Sequence, residues 1–161
     1  MNKRAVVNIL VAIPAALITG AMASDLPQRA AGLWELKKAV ADEPRALPAI
    51  LQCSDAATDA ALGANAFLAK TDSCERIEVA RDGDKWRIES LCNSEAGPVE
   101  EVTLLSGDFE SGYTMEQVAT FSDYDMEVRQ TVTARRIGDC GAGQEPGNVY
   151  IGGQAFSLMA Q

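Results

Sequence analysis

Asp123, Asp125 and Glu127 alternate along one stretch, so on a strand their carboxylates share a face, as in a paired-acid hydrolase or an oxygen-ligated calcium site. Arg129 continues the alternation with the opposite charge, which is what any solvated strand face carries. Acids on such a face lack the burial that tunes a carboxyl for catalysis. Asp82-Gly83-Asp84 offers oxygen ligands but no ligand ladder after them, and reads as a turn. Histidine is absent from all 161 residues, which removes imidazole bases, histidine-based triads and most metal centres. Neither a catalytic set nor a cofactor is expected.

The other reactive groups are Cys53, Cys74, Cys92 and Cys140. Zinc ligands usually come in pairs separated by roughly two to four residues, and no two of these cysteines approach that spacing. The chain begins MNKRAVVNILVAIPAALITGAMAS, with Lys3 and Arg4 ahead of an apolar run and Ala21-Met22-Ala23 as a cleavage-like site. This pattern reads as a secretory signal peptide over 1–23, leaving a mature chain of 24–161 with no stable membrane insertion. An even cysteine count behind such a leader argues for two disulfides in an oxidising compartment. Bonded in this way, the thiols offer no nucleophile.

The sequence carries 14 basic and 23 acidic side chains, a net charge of −9. Cleavage after Ala23 would leave 12 basic against 23 acidic, a net charge of −11. Such a surface repels nucleic acid and anionic head groups but admits a cationic partner. The mature length suits a single core, and no linker or repeat divides it.

Most of the mature chain alternates apolar and polar residues between turn signals, which predicts a mainly β protein. An antiparallel meander forming a curved sheet or open barrel is expected, with one α-helix packed against it. In GYTMEQVATFSDYDMEVRQTVTARRIG, a two-residue turn at Ser122-Asp123 would set Phe121 against Tyr124, Ala119 against Met126, Gln117 against Val128 and Met115 against Gln130. The other face would pair Glu116 with Arg129. In CERIEVARDGDKWRIESLC, a turn at Asp82-Gly83 would set Val79 against Trp86 and Glu78 against Arg87. Cys74 and Cys92 sit at the two open ends of this hairpin one residue out of register, so facing each other takes a three-residue loop or a bulge, and a bulge near Cys74 is expected. Cys53 is then left for Cys140.

SDAATDAALGANAFLAK starts with the cap candidates Ser54 and Asp55, and places Ala56, Ala60, Ala64 and Phe67 at helical spacing as the packing stripe. The glycine-rich tail over 141–161 reads as loosely held.

In this order the parts resemble the bacterial family catalogued as domain of unknown function 3617. The resemblance rests on LPQRAAGLWEL with its Gly32-Leu33-Trp34, on Gly107-Asp108 to Tyr113, and on Arg136-Ile137-Gly138-Asp139-Cys140. It implies a small exported protein of Gram-negative bacteria with four cysteines, and a periplasmic location, but no activity. Gly32-Leu33-Trp34 also resembles, more weakly, the Gly-x-Trp opening of lipocalin-like barrels, where an arginine from the far end of the sheet packs on the tryptophan. That likeness implies a barrel-end pair of Trp34 and Arg136.

Trp34, Trp86, Tyr113, Met115, Phe121, Tyr124 and Met126, with the amides Gln117 and Gln130, are the candidate lining of a cavity on the inner sheet face. The expected function is a non-enzymatic binding module for a small apolar or amphipathic molecule. The alternative is an envelope-associated module that docks a protein partner through its acidic surface or a sheet edge.

Overall fold

The computed structural model describes residues 26–68 and 73–159; the leader over 1–23 lies outside them. The elements run β1 (Gly32–Val40), β2 (Ile50–Ser54), α1 (Ala56–Leu62), β3 (Cys74–Asp82), β4 (Lys85–Ser94), β5 (Gly97–Gly107), β6 (Gly112–Phe121), β7 (Met126–Gly138), β8 (Asn148–Ile151) and β9 (Gln154–Ser157). All nine strands form one antiparallel sheet in the order β3-β4-β5-β6-β7-β1-β2-β8-β9, with β3 and β9 as its edges. A mainly β, open antiparallel sheet with one short helix among the described residues is the architecture that the alternation predicts.

Both long hairpins keep the expected faces but shift register by two residues. Residues Ser122–Tyr124 form a 3₁₀ turn closed by Asp125 in the left-handed region (φ 48°). Phe121 therefore opposes Met126, Ala119 opposes Val128, Gln117 opposes Gln130, and Glu116 opposes Thr131 rather than Arg129. A 3₁₀ turn takes up two more residues than a tight turn and preserves parity, so the strand residues keep their face while every partner changes, but Tyr124 falls into the turn and it and Met126 are exposed rather than inward. The turn also breaks the alternation of Asp123, Asp125 and Glu127, because the first two lie in it and only Glu127 is on the strand.

The other hairpin turns at Gly83-Asp84, with Gly83 at φ 65°, so Asp82 opposes Lys85 and Val79 opposes Ile88. The register slips between Cys74 and Arg76, and this bulge brings Cys74 opposite Cys92. The disulfides are Cys74–Cys92 and Cys53–Cys140, as the hairpin argument requires. The expected cross-strand pair of Glu78 with Arg87 is replaced by ion pairs along single strands, Arg87–Glu89 at 2.6 Å and Arg76–Glu78 at 3.8 Å.

Asp55 caps α1, its carboxylate accepting from the Thr58 N–H, and the Thr58 hydroxyl together with that N–H holds its pKa below the ordinary carboxylate value. Of the expected packing stripe, Phe67 and Ala64 meet the core but Ala56 and Ala60 do not. Gly63, at φ 53°, ends the helix after seven residues, and the following 3₁₀ turn changes the phase, so Ala56 and Ala60 are exposed. Asp59, Leu62, Ala66, Phe67 and Leu68 are buried. The tail beyond Cys140 contributes β8 and β9, which extend the sheet from β2.

The core occupies one half of the inner face. Trp34, Ile88, Leu105, Tyr113, Met115, Val132 and Ala134 project from five strands onto Leu62, Phe67, Leu68 and Phe109. Their convergence from β1, β4, β5, β6 and β7 requires the sheet to curve around them.

Candidate functional site

The chain before β1 crosses the packed end of the sheet and is fixed there by Arg29, which is 2 % exposed. Its guanidinium grips Asp59 with two hydrogen bonds, from Nε to Oδ2 at 2.9 Å and from Nη2 to Oδ1 at 2.6 Å. Nη1 donates to Gln52 Oε1 at 3.0 Å and to the Tyr113 hydroxyl at 3.1 Å. Ser54 Oγ donates to Asp59 Oδ1 at 2.7 Å. Burial works against the cation, but the Asp59 bonds and charge outweigh it and hold the Arg29 pKa above its ordinary value. Burial also pushes the Tyr113 phenol up. Every partner of this pin is supplied by the protein, so it positions elements and leaves no group for a substrate.

Phe109 closes the same end. It sits at φ 57°, a conformation uncommon for a bulky residue, and stacks on Tyr113 with centroids 5.3 Å apart and planes at 13°. The preceding Asp108 carboxylate receives the backbone N–H groups of Glu110, Ser111 and Gly112 and the Ser111 hydroxyl, which hold its pKa well below the usual carboxylate range. Gly107, at φ 141°, passes so close to β6 that an added Cβ would lie 2.4 Å from the Gly112 carbonyl oxygen.

Trp34 is fully buried, lies 5.4 Å from the Tyr113 ring and donates its indole N–H to the Ala30 carbonyl at 3.0 Å. Arg136 is its cross-strand partner on β7. The Arg136 guanidinium hydrogen-bonds the Ala31 carbonyl at 2.8 Å and Asp139 at 2.7 Å, and it lies against Gly32, where an added Cβ would be 2.7 Å from Nε. Among the described residues the cations over aromatic rings are Arg29, over Phe67 and Tyr113, and Arg81, 3.8 Å over Trp86.

The candidate cavity residues therefore fall into three groups. Trp34, Trp86, Tyr113 and Met115 belong to the packed end. Tyr124 lies in the β6–β7 turn, 63 % exposed, and Met126 at the start of β7 is 44 % exposed. Gln117, Phe121 and Gln130 remain on the open half of the inner face.

There a polar row crosses three strands. Gln130 Nε2 donates to Gln117 Oε1 at 2.7 Å. Gln117 Nε2 in turn donates to Glu101 Oε1 at 2.9 Å, with a longer contact of 3.3 Å to Thr103 Oγ1. The Thr103 hydroxyl donates to the same Glu101 oxygen at 3.0 Å. The residues between the packed core and the β6–β7 turn thus form a hydrogen-bonded ladder with a half-buried carboxylate at one end. A depression of about 180 Å³ lies on the core side of the ladder, with Leu36, Lys38, Ile50 and Val132 in its walls. A second, of about 190 Å³, lies on the turn side, lined by Glu101, Gln117, Ala119, Phe121, Val128 and Gln130.

A larger depression, about 510 Å³, opens on the outer face beside Val102, Leu104 and Val118. Its charged walls are the exposed Glu116 and Arg129, held only in surface ion pairs with Lys85 and Glu127. The inner ladder is the better candidate because its polar groups are fixed by neighbours before any ligand arrives.

Glu101 and Thr103 were not singled out by the sequence because Val102 and Leu104 make the opposite face of β5 equally apolar. Arg29 lies in LPQRAAGLWEL, but nothing in the sequence pairs it with Asp59, thirty residues further on. Among the described residues no helix is long and apolar enough to cross a membrane, and no group of three metal-ligating side chains occurs.

A family model described as "Protein of unknown function (DUF3617)" matches residues 29–140, from the buried arginine to the last cysteine. No curated protein and no solved structure matches the chain.

Proposed function

The chain belongs to the DUF3617 family, a premise that assigns no chemistry, and we propose that it is an exported periplasmic module that binds a small amphipathic molecule on the open half of its inner sheet face. The observation that carries this reading is the Glu101–Gln117–Gln130 ladder with an apolar-walled depression on either side. The row meets its own hydrogen bonds, and no buried side-chain polar atom among the described residues lacks a partner, so the ladder is preformed before any ligand arrives. Facing an open depression, the same row orients a ligand's polar end while Ala119, Phe121 and Val128 take its apolar part. Two disulfides and an acidic surface suit an oxidising, extracytoplasmic setting.

The test is saturable binding of an environment-sensitive apolar dye to the oxidised protein, with Ala119→Trp abolishing the signal while circular dichroism stays native. Absence of saturable binding, or binding indifferent to that substitution, would overturn the reading. Recovery of a periplasmic chain beginning at Ser24 tests export.

A second reading rests on the edge strand β9. All four of its residues are exposed, Phe156 by 49 %, and none is charged. Edge strands are usually blunted by charge, as Glu75, Arg76, Glu78 and Arg81 blunt β3. A strand of an envelope protein could add to β9, and Ala155→Pro would abolish such pairing without touching the inner face.

A further inference from the structure

Resting on the inner-face reading above, we infer that the ligand's polar end is a cation, a primary ammonium seated on Glu101. Glu101 lies on β5, level with Ala119 on β6 and Val128 on β7 in the same row of the sheet. Its Oε1 is saturated by Thr103 and Gln117, which fix the carboxylate in place. Among the described residues Oε2 receives no hydrogen bond, and no lysine or arginine pairs with Glu101. A half-buried carboxylate held by two neutral donors, with one oxygen unoccupied beside an apolar wall, is a receptor for one positive charge.

The two depressions differ in a way that places the rest of the ligand. The core-side one adds Lys38, whose ammonium would repel a second cation. The turn-side one has Glu101 as its single charged lining residue, and Ala119, Phe121 and Val128 supply the apolar surface. Asp123 and Asp125, in the turn that follows Phe121, add negative potential on this side, and the net charge of −9 draws cations toward the whole molecule. At about 190 Å³ the space is smaller than the roughly 300 to 1,000 Å³ of drug-sized ligand sites, so it suits a short alkyl or arylalkyl amine rather than a whole lipid.

Calorimetric titration of the oxidised chain with octylammonium, octanol and octanoate, each below its micellar concentration, separates the possibilities. Octylammonium should bind about ten-fold or more tighter than octanol, weaken as salt is raised, and exceed octanoate further. Glu101→Gln keeps the shape and the bonds to Thr103 and Gln117. It should bring octylammonium to within a few-fold of octanol and remove the salt dependence of its binding. Equal affinities for octanol and octylammonium, or a preference for octanoate that Lys38→Met removes, would overturn the cationic assignment and leave the inner-face site standing. Failure of all three to bind would overturn the inner-face site itself.

Discussion

Arg29 meets Asp59 in a two-pronged buried ion pair, joining the chain ahead of β1 to the helix that follows β2. A buried pair of this kind is held by mutual dependence, since either charge alone would be stranded in the core. Asp59→Ala should therefore destabilise the oxidised protein by about 3 to 5 kcal/mol in urea unfolding. The paired change Arg29→Met with Asp59→Leu should recover a large part of that loss. A double variant as unstable as the single one would mean that the pin is needed for its geometry and not only for its charge balance.

The two disulfides close loops of unequal size, with sequence separations of 18 and 87. In the chain-entropy model they contribute about 3 and more than 4 kcal/mol. Cys53→Ala with Cys140→Ala should lower stability more than the corresponding change at Cys74 and Cys92. Chemical unfolding of the two variants checks the order.

Opposite ends of the pH scale should act through different residues. The folded Tyr113 pKa is raised by burial, so its contribution is complete below the ordinary phenol value of about 10 and is lost as pH rises toward the folded value. Tyr113→Phe should be less stable at neutral pH, lacking the Arg29 bond, but should lose less between about pH 9 and 11. The folded Asp108 pKa is depressed by its backbone donors, so its contribution is present above the ordinary carboxylate value and disappears as pH falls through the folded one. Asp108→Asn should flatten the acid limb of a stability profile and leave the alkaline limb unchanged.

Parity was legible in the sequence and register was not. Alternation placed Tyr113, Met115, Gln117 and Val132 on one face, as found, because the period of a strand depends only on local geometry. The partner of each depends on how many residues the turn takes, and Ser122-Asp123 looks like a tight turn although Asp125 closes a longer one. The disulfides were readable because Cys74 and Cys92 sit at the two open ends of one hairpin, which left Cys53 for Cys140. The site was only half readable: its two amides stood out on an apolar face, while Glu101 became a partner only once β5 lay beside β6. Arg29 could not be found at all, since its four hydrogen bonds go to three separate elements.

Gln117 is the hub on which the candidate site turns, and its neighbours do not share its position. It is 6 % exposed, accepts from Gln130 and donates to Glu101 and Thr103. Gln130 is less buried and makes the single contact to Gln117, so its amide can return to water when that contact is lost. Gln117→Leu should therefore cost about 1 to 3 kcal/mol, because it removes three hydrogen bonds at a buried position. Gln130→Leu should cost less than about 1 kcal/mol, offset in part by the apolar surface it adds beside Val128 and Phe121. In ligand terms the order reverses at the apolar end: Gln130→Leu should strengthen binding of octanol, while Gln117→Leu frees Glu101 to move and weakens octylammonium. Equal stability losses at the two positions, measured by urea unfolding, would show that the ladder is a closed core element rather than one wall of an open site.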